Sequence, residues 1–242
     1  MNPSPLPLGP KDVGCRIVVR RELPTGGATD VLGKLLSVQA HELVVQRANG
    51  ERIRIDAGSI LAAKRVPPGP ARVRPARPAD AEAIEALRVG CWRTAYRGMI
   101  PDAYLAAMPA GLAHGVARRE RLLGDQPADV HQLVAESVPA EAVVGWVSGG
   151  PSRDAGRAGA MYGEVYACYV APEWSGVGLG GRLLRRLLND LAADGRADVA
   201  LWVLAANDRA RRFYASYGFA PDGSEQTLDL GGPVVEMRCV RR

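Results

Sequence analysis

The sequence predicts a small all-β domain followed by an α+β domain. Three observations carry this. Residues 1–66 hold only short segments of strand-like alternation, residues 67–71 are a proline-rich linker, and residues 72–242 mix helical with strand periodicity. Apolar residues make up 47% of the 242, enough for a sizeable core in each part.

In the first part, Val13–Arg21 is rich in β-branched residues and Thr29–Val38 follows the Gly26-Gly27 pair. Glu42–Arg47 and Arg52–Ile55 flank Asn49-Gly50, which predicts a two-residue hairpin turn with positive φ at both positions. Arg52, Arg54 and Asp56 alternate with Ile53 and Ile55, the period of a half-buried strand. With Ile60–Val66 these make five short strands, which predicts an SH3-like barrel. Residues 1–70 carry ten Lys/Arg against six Asp/Glu. A basic module of this kind can bind nucleic acid or another acidic partner, or simply carry an ordinary surface. The absence of any Phe, Trp or Tyr there, and only three lysines in the chain, argue against nucleic acid.

No stretch of about 18 apolar residues is present, so no membrane helix is expected. The opening residues have no basic start or apolar run, so they do not read as a secretion signal, and the expected location is the cytoplasm. Cys15, Cys91, Cys168 and Cys239 are far apart and form no CxxC pair, which predicts buried thiols and neither a metal site nor disulfides.

Past the linker, Val73 marks a short strand. Pro78-Ala79-Asp80 opens a helix to about Gly90 with Asp80 as its cap, and Pro101–Met108 and Gly111–Leu123 read as helices. His131–Glu136 and Ala142–Ser148 read as strands, and Gly149–Gly159 as a glycine-rich loop. Val165–Val170 is a strand that Pro172 ends. Gly176, Gly178, Gly180 and Gly181 follow within six residues, and then Leu179, Leu183, Leu184, Leu187, Leu188 and Leu191 recur at helical spacing. A strand leading through glycines into a helix aims backbone N–H groups and a helix dipole at one point, where a phosphate can sit. The loop lacks the Gly-Lys-Ser/Thr of a P-loop, and Asp198 precedes the next strand, where a dinucleotide-binding fold wants an acid on it.

Ser175-Gly176-Val177-Gly178-Leu179-Gly180 resembles the acetyl-CoA loop of the GNAT superfamily of N-acetyltransferases, Gln/Arg-x-x-Gly-x-Gly/Ala. Asn207 to Phe219 is similar to that family's second signature, Asn-x-x-Ala-x-x-Phe-Tyr-x-x-x-Gly-Phe, with the strand Val199–Leu204 between the two. Trp92–Leu105 resembles the substrate-side helices of a bacterial subgroup. One position departs: Ser175 stands where the family has Gln or Arg.

The resemblance covers about residues 72–242. It implies a mixed, mostly antiparallel central sheet flanked by helices. It also implies acetyl-CoA as co-substrate, a primary amine as acceptor, no metal, and possible homodimers. It places the cofactor on Cys168, Tyr169, Val170, Ser175, Gly176, Val177, Gly178, Leu179, Gly180, Gly181 and Asn207. Two strands would be splayed near Val170, leaving a backbone N–H for the oxyanion. Glu164, eleven residues before Ser175, is the candidate base acting through water, or else a surface charge at a strand edge. Tyr214 is the candidate acid for the leaving thiolate, or else a core tyrosine on the face shared by Ala210, Phe213 and Tyr217. Trp92 and Tyr96, with Arg97 and Met99, would wall the substrate site. A second class stays open: an acyl-CoA sensor with weak turnover whose barrel binds nucleic acid or a protein.

Overall fold

The computed structural model describes residues 8–66, 68–154 and 162–242. The chain forms two compact units, residues 1–69 with 172–177, and residues 70–171 with 178–242.

The first unit holds one five-stranded antiparallel sheet in the order β4-β3-β2-β1-β5. Its strands are β1 Arg16–Glu22, β2 Ala28–Val38, β3 Glu42–Gln46, β4 Arg52–Asp56 and β5 Ile60–Arg65. The core is made of alternate residues, among them Ile17, Val19, Val31, Leu35, Leu43, Val45 and Ile55, all wholly buried. The hairpin at Asn49-Gly50 differs from the expected turn. Only Gly50 has positive φ, at 86°, and Gly50 N–H donates to Arg47 O while Arg47 N–H donates to Glu51 O. This is an ordinary turn closed by a left-handed glycine, so the loop runs longer than two residues. Segment 172–177 belongs to this unit: Cys15 Sγ–H donates to Pro172 O at 3.6 Å, and Arg65 Nη2 donates to Ser175 O at 2.6 Å.

The second unit is built on a seven-stranded sheet in the order β11-β12-β10-β9-β8-β7-β6. The strands are β6 Ala71–Pro75, β7 His131–Ser137, β8 Val143–Pro151, β9 Tyr162–Val170, β10 Asp198–Leu204, β11 Ala220–Asp229 and β12 Pro233–Arg241. Only β9 and β10 run parallel; the rest of the sheet is antiparallel, as expected. The helices are α1 Ala81–Ala95, α2 Asp102–Ala107, α3 Leu112–Gly124, α4 Leu179–Ala193 and α5 Asp208–Ala215. A Cβ on Gly145 would meet Leu183 of α4 at 2.8 Å, whereas the next residue, Trp146, lies under the Arg119 guanidinium of α3 at 4.2 Å. Side chains alternate along a strand, so α4 and α3 cover opposite faces. Leu183, Leu184, Leu187 and Leu191 of α4 are wholly buried, each contributing about 1.5–3 kcal/mol.

Three expectations are corrected here. Strand β8 runs on through Pro151, so Gly149 and Gly150 lie in the sheet and not in a loop; residues 155–159 of that expected loop lie outside the described residues. Asp80 does not cap α1: its carboxylate accepts from Arg77 N–H and from both terminal nitrogens of Arg74. Strands β11 and β12 were not anticipated.

Strands β8 and β9 are joined through a bulge. Ser148 pairs with Ala167 and Gly149 with Val165, which leaves Tyr166 as an extra residue on β9. A Cβ on Gly149 would meet Glu164 O at 2.6 Å, so glycine is required opposite the bulge.

On β6 and β7, Glu136 accepts from Arg74 Nη2 at 2.9 Å and from Arg72 Nε at 2.6 Å, which holds its carboxyl down at about 2 from the usual 4.5. A carboxylate depressed by folding adds stability that is complete above its unfolded value and is lost as the pH falls toward its folded one. The thermal midpoint is therefore expected to fall between about pH 4.5 and about pH 2. Arg74→Met should flatten that fall in a circular-dichroism melt series; an unchanged pH slope would contradict the assignment.

Candidate active site

The central feature of the second unit is a parting of strands. β10 pairs with β9 only from Tyr162 to Val165, against Asp198 to Leu201. Beyond that point β9 continues to Val170 on β8, and β10 continues to Leu204 on β12. Residues Tyr166–Val170 are accordingly half-exposed although they lie mid-sheet. Ala171 N–H donates to Val144 O at 2.9 Å, so by strand alternation the N–H groups of Cys168 and Val170 face away from β8, into the gap. The Val170 carbonyl, on the same edge, accepts from Cys91 Sγ at 3.4 Å.

Side chains from four elements converge on this gap. Trp92 Nε1–H of α1 donates to Tyr169 Oη at 2.8 Å, and the Trp92 and Tyr96 rings meet edge to face at 5.0 Å. The Tyr169 phenol lies close enough to Tyr96 to act on its ionisation. Tyr214 of α5 packs against Phe213 and Phe219. Burial drives its phenol well above the usual value, and its electrostatic neighbours are Cys168, Tyr96, Tyr169 and Cys239. Burial likewise raises Tyr96 and Tyr169, and pushes the Cys168 thiol up to about 12. The gap is thus lined by neutral, proton-bearing groups.

Asn207 lies between β10 and α5, and its Oδ1 accepts from Ala210 N–H at 3.0 Å, capping the helix that carries Tyr214. At the start of α4, Gly178 adopts φ 83° as the N-cap, and no side chain caps the helix. The first-turn N–H groups of Leu179, Gly180 and Gly181 are the donors a helix leaves free for an anion. The Leu179 side chain itself is buried in the core. Gly181 is needed for packing, since a Cβ there would collide with Tyr217 Oη of the α5 region. In the first unit, Gly176 has φ 77° and Val177 is exposed. Ser175 supplies no long polar side chain. A guanidinium does stand beside it: Arg65 Nη1 lies 3.3 Å from the point where a Gly176 Cβ would be.

Glu164 sits elsewhere than Tyr214. It lies at the closed end of β9, opposite Ala200 and Gly150, four residues and so ~13 Å along the strand from Cys168. Its carboxylate is 2% exposed, which excludes a surface charge. It accepts from Arg153 N at 2.8 Å, Arg153 Nε at 3.0 Å and Arg153 Nη2. Trp92, Tyr96 and Met99 pack with Ile100, Leu105, Leu204 and Val234, while Arg97 is exposed. Tyr169, expected among the cofactor-binding residues, also brings its phenol to the Trp92 indole. Glu236 was missed because β12 was missed; it lies opposite Leu204, at the open end of β10, and its charge acts on Tyr96. None of the four cysteines is in a disulfide, and no cluster of metal-ligating groups occurs among the described residues. No helix of the described residues is long and apolar enough to cross a membrane.

Residues 100–219 match the family model of the acetyltransferase (GNAT) family. Residues 11–64 match the model described as the Rv0428c N-terminal Sm-like domain, where strand pattern alone suggested an SH3-like one; both are small all-β barrels. The "Probable N-acetyltransferase Rv2775" of Mycobacterium tuberculosis is 27% identical over 64% of this chain and 83% of its own length. A mycothiol acetyltransferase of Kocuria rhizophila is 47% identical over 57 residues, 24% of this chain and 19% of that protein. Among solved structures, the PaiA N-acetyltransferase of Thermoplasma acidophilum in complex with coenzyme A has a TM-score of 0.55 at 16% identity. It covers 72% of this chain and 99% of that one. A GNAT-family acetyltransferase of Streptococcus pneumoniae gives 0.55 at 18%, covering 71% and 98%. These likenesses show the fold.

Asn207→Ala should cost about 1 kcal/mol of stability through the lost cap of α5, and Asn207→Asp should restore it. Denaturant unfolding of the three proteins checks this; equal midpoints would remove the capping role.

Proposed function

We propose that this chain, whose second unit carries a GNAT acetyltransferase domain and which is an acetyl-CoA-dependent N-acetyltransferase, moves the acetyl group to a primary amine by direct attack, with Tyr214 as acid and Glu164 as base. The observation that carries this reading is the gap between β9 and β10, with inward N–H groups on one wall and a buried phenol at its side.

The residues fit acetyl-CoA as substrate. Pantetheine carries amides, and the free edge of β9 beyond Val165 offers donors and acceptors at strand spacing, so it can lie there as an added strand. The uncapped start of α4 offers N–H groups to the pyrophosphate.

Attack needs a neutral amine, whereas a lysine-type amine has a pKa of ~10.4. Its lone pair forms the new C–N bond to the acetyl carbon, and the carbonyl oxygen takes up the negative charge. The Val170 N–H, facing the gap, receives that charge. The C–S bond then breaks and Tyr214 Oη–H protonates the departing sulfur, while the amine proton passes through water to Glu164. Arg153 occupies both Glu164 oxygens, so its side chain, 64% exposed, has to swing off before Glu164 can accept.

Tyr214→Phe is expected to lower kcat ~100-fold with acetyl-CoA affinity unchanged, read as thiol release beside calorimetry. Unchanged turnover would remove the acid role. Because the Tyr214 phenol is raised, it stays protonated across the working range. The pH profile of kcat/KM should therefore climb as the acceptor amine loses its proton and show no descending limb below about pH 10; an earlier descent would assign the acid to another group.

A further inference from the structure

A second cavity lies on the face of the sheet covered by α1 and α3. Its volume is about 410 Å³, within the ~300–1,000 Å³ range of small-molecule sites. Its walls include Tyr166, Ala167 and Tyr169 from the open half of β9, so it adjoins the gap through the Tyr169 ring. Four arginines line it: Arg88, Arg118, Arg119 and Arg153.

The charges there do not balance. Glu85 accepts from Arg88 Nε at 2.8 Å and from Arg119 at 2.8 Å and 3.0 Å, so one carboxylate serves two guanidiniums. Glu164 serves Arg153. Asp129, near Tyr166, is taken by Arg196 at 2.9 Å. Arg118 is exposed and has no carboxylate partner among the described residues. The cavity therefore carries two more positive charges than negative ones. It also holds an unspent donor. Trp146 Nε1, in a side chain 2% exposed, has no partner among the described residues, and Ser148, 5% exposed, stands two positions further along the same face of β8. Buried polar groups are otherwise almost always satisfied, so such a donor on the wall marks a place for a ligand. Two other carboxylates of the second unit are already spent: Glu136 on Arg72 and Arg74, and Asp154 on Arg238.

We propose that this cavity is the acceptor pocket and that the acceptor is a small amine carrying an anionic group, a carboxylate or a phosphate. This rests on the acetyltransferase reading above. Arg118 and Arg153 hold the anion. Its arrival gives the Arg153 guanidinium, stacked 4.2 Å over the Tyr166 ring, a second partner. That draws it from Glu164 and frees the carboxylate to take the amine proton. The pocket thereby couples acceptor binding to release of the base.

The test is steady-state acetylation of matched amines that differ only at the far end: an amino acid, its amide, its decarboxylated diamine counterpart and an aminoalkyl phosphate. The anionic members should exceed the amide and the diamine by at least ~10-fold in kcat/KM, the value of one charged contact at ~1.4 kcal/mol. Whichever of the carboxylate or phosphate leads names the source of the charge. Arg118→Ala, a change at an exposed site, should remove that preference through KM, with Arg118→Lys restoring part of it and the KM for acetyl-CoA unmoved. Preference for the amide or the diamine, or an equal loss for all acceptors in Arg118→Ala, would overturn the proposal. If acetyl-CoA itself fails to bind, the acetyltransferase reading falls separately. The pocket is then judged by calorimetry with the amino acid and the aminoalkyl phosphate alone. Binding that Arg118→Ala weakens ~10-fold supports it, and no binding by the wild-type protein overturns it.

Discussion

The bulge at Tyr166 is the constraint from which the site follows. An extra residue on one strand increases local twist and bends that strand away from its line. Here the bend comes one residue after the last β9–β10 pair, Val165 with Leu201. Strand β10 keeps its register on β12 as far as Leu204, so the two central strands diverge and cannot meet again. Backbone N–H groups in a sheet interior must be paired. The open half of β9 therefore presents donors in want of acceptors, which is what an extended, amide-bearing substrate provides. Gly149 is part of the same device, because any side chain opposite the bulge would press on the Glu164 carbonyl.

Arginine shapes the rest of the electrostatics. The chain has 31 Lys/Arg of which three are lysine, and the planar guanidinium permits one carboxylate to be held by two partners. Glu85 and Glu136 are both bound in this way. Burial alone would raise Glu85, yet Arg88 and Arg119 outweigh it and hold the carboxyl below its usual value. Glu164 and Asp154 are likewise committed to Arg153 and Arg238, while arginines on one cavity wall remain in excess.

Much of this was legible in the sequence where a pattern was local. Strand alternation placed β1–β5 to within a few residues, leucine spacing placed α4, and the strand-glycine-helix order pointed to the uncapped start of α4. The parts that escaped depend on tertiary partners. Strands β11 and β12 carry Pro221, Gly223, Pro233 and scattered charges, with no clean alternation, because they form one end of the sheet and are half-exposed. Missing them hid Glu236. The continuation of β8 through Gly149 and Gly150 was masked by residues that ordinarily end a strand. They are there because the α4 leucines press on one face and the Tyr166 hydroxyl on the other. Asp80 has the residue type of a helix cap, but Arg74, six positions back, competes for it with two charged bonds. The partner of Glu164 came from Arg153, eleven residues away across a segment with no sequence signal of its own.

A raised phenol is by itself a poor acid, and in the proposed reaction the resolution lies in where the thiolate would form. Low polarity penalises every anion in the gap, not the phenolate alone. Cys168 reports this directly: its thiol, facing the same surroundings as Tyr214, is pushed up to about 12 by burial. A thiolate released from a thioester at that place suffers the same penalty. Its affinity for a proton therefore rises together with that of the phenol, and the difference that drives transfer from Tyr214 to sulfur is largely kept. Water would lower both anions and would also hydrolyse the thioester. The lining of Tyr96, Tyr169 and Tyr214 is neutral, while the arginines of the cavity stand beyond the Tyr169 ring. On the proposed reading, the separation of these two environments by a single aromatic wall would let one sheet hold a thioester and an ionic acceptor side by side.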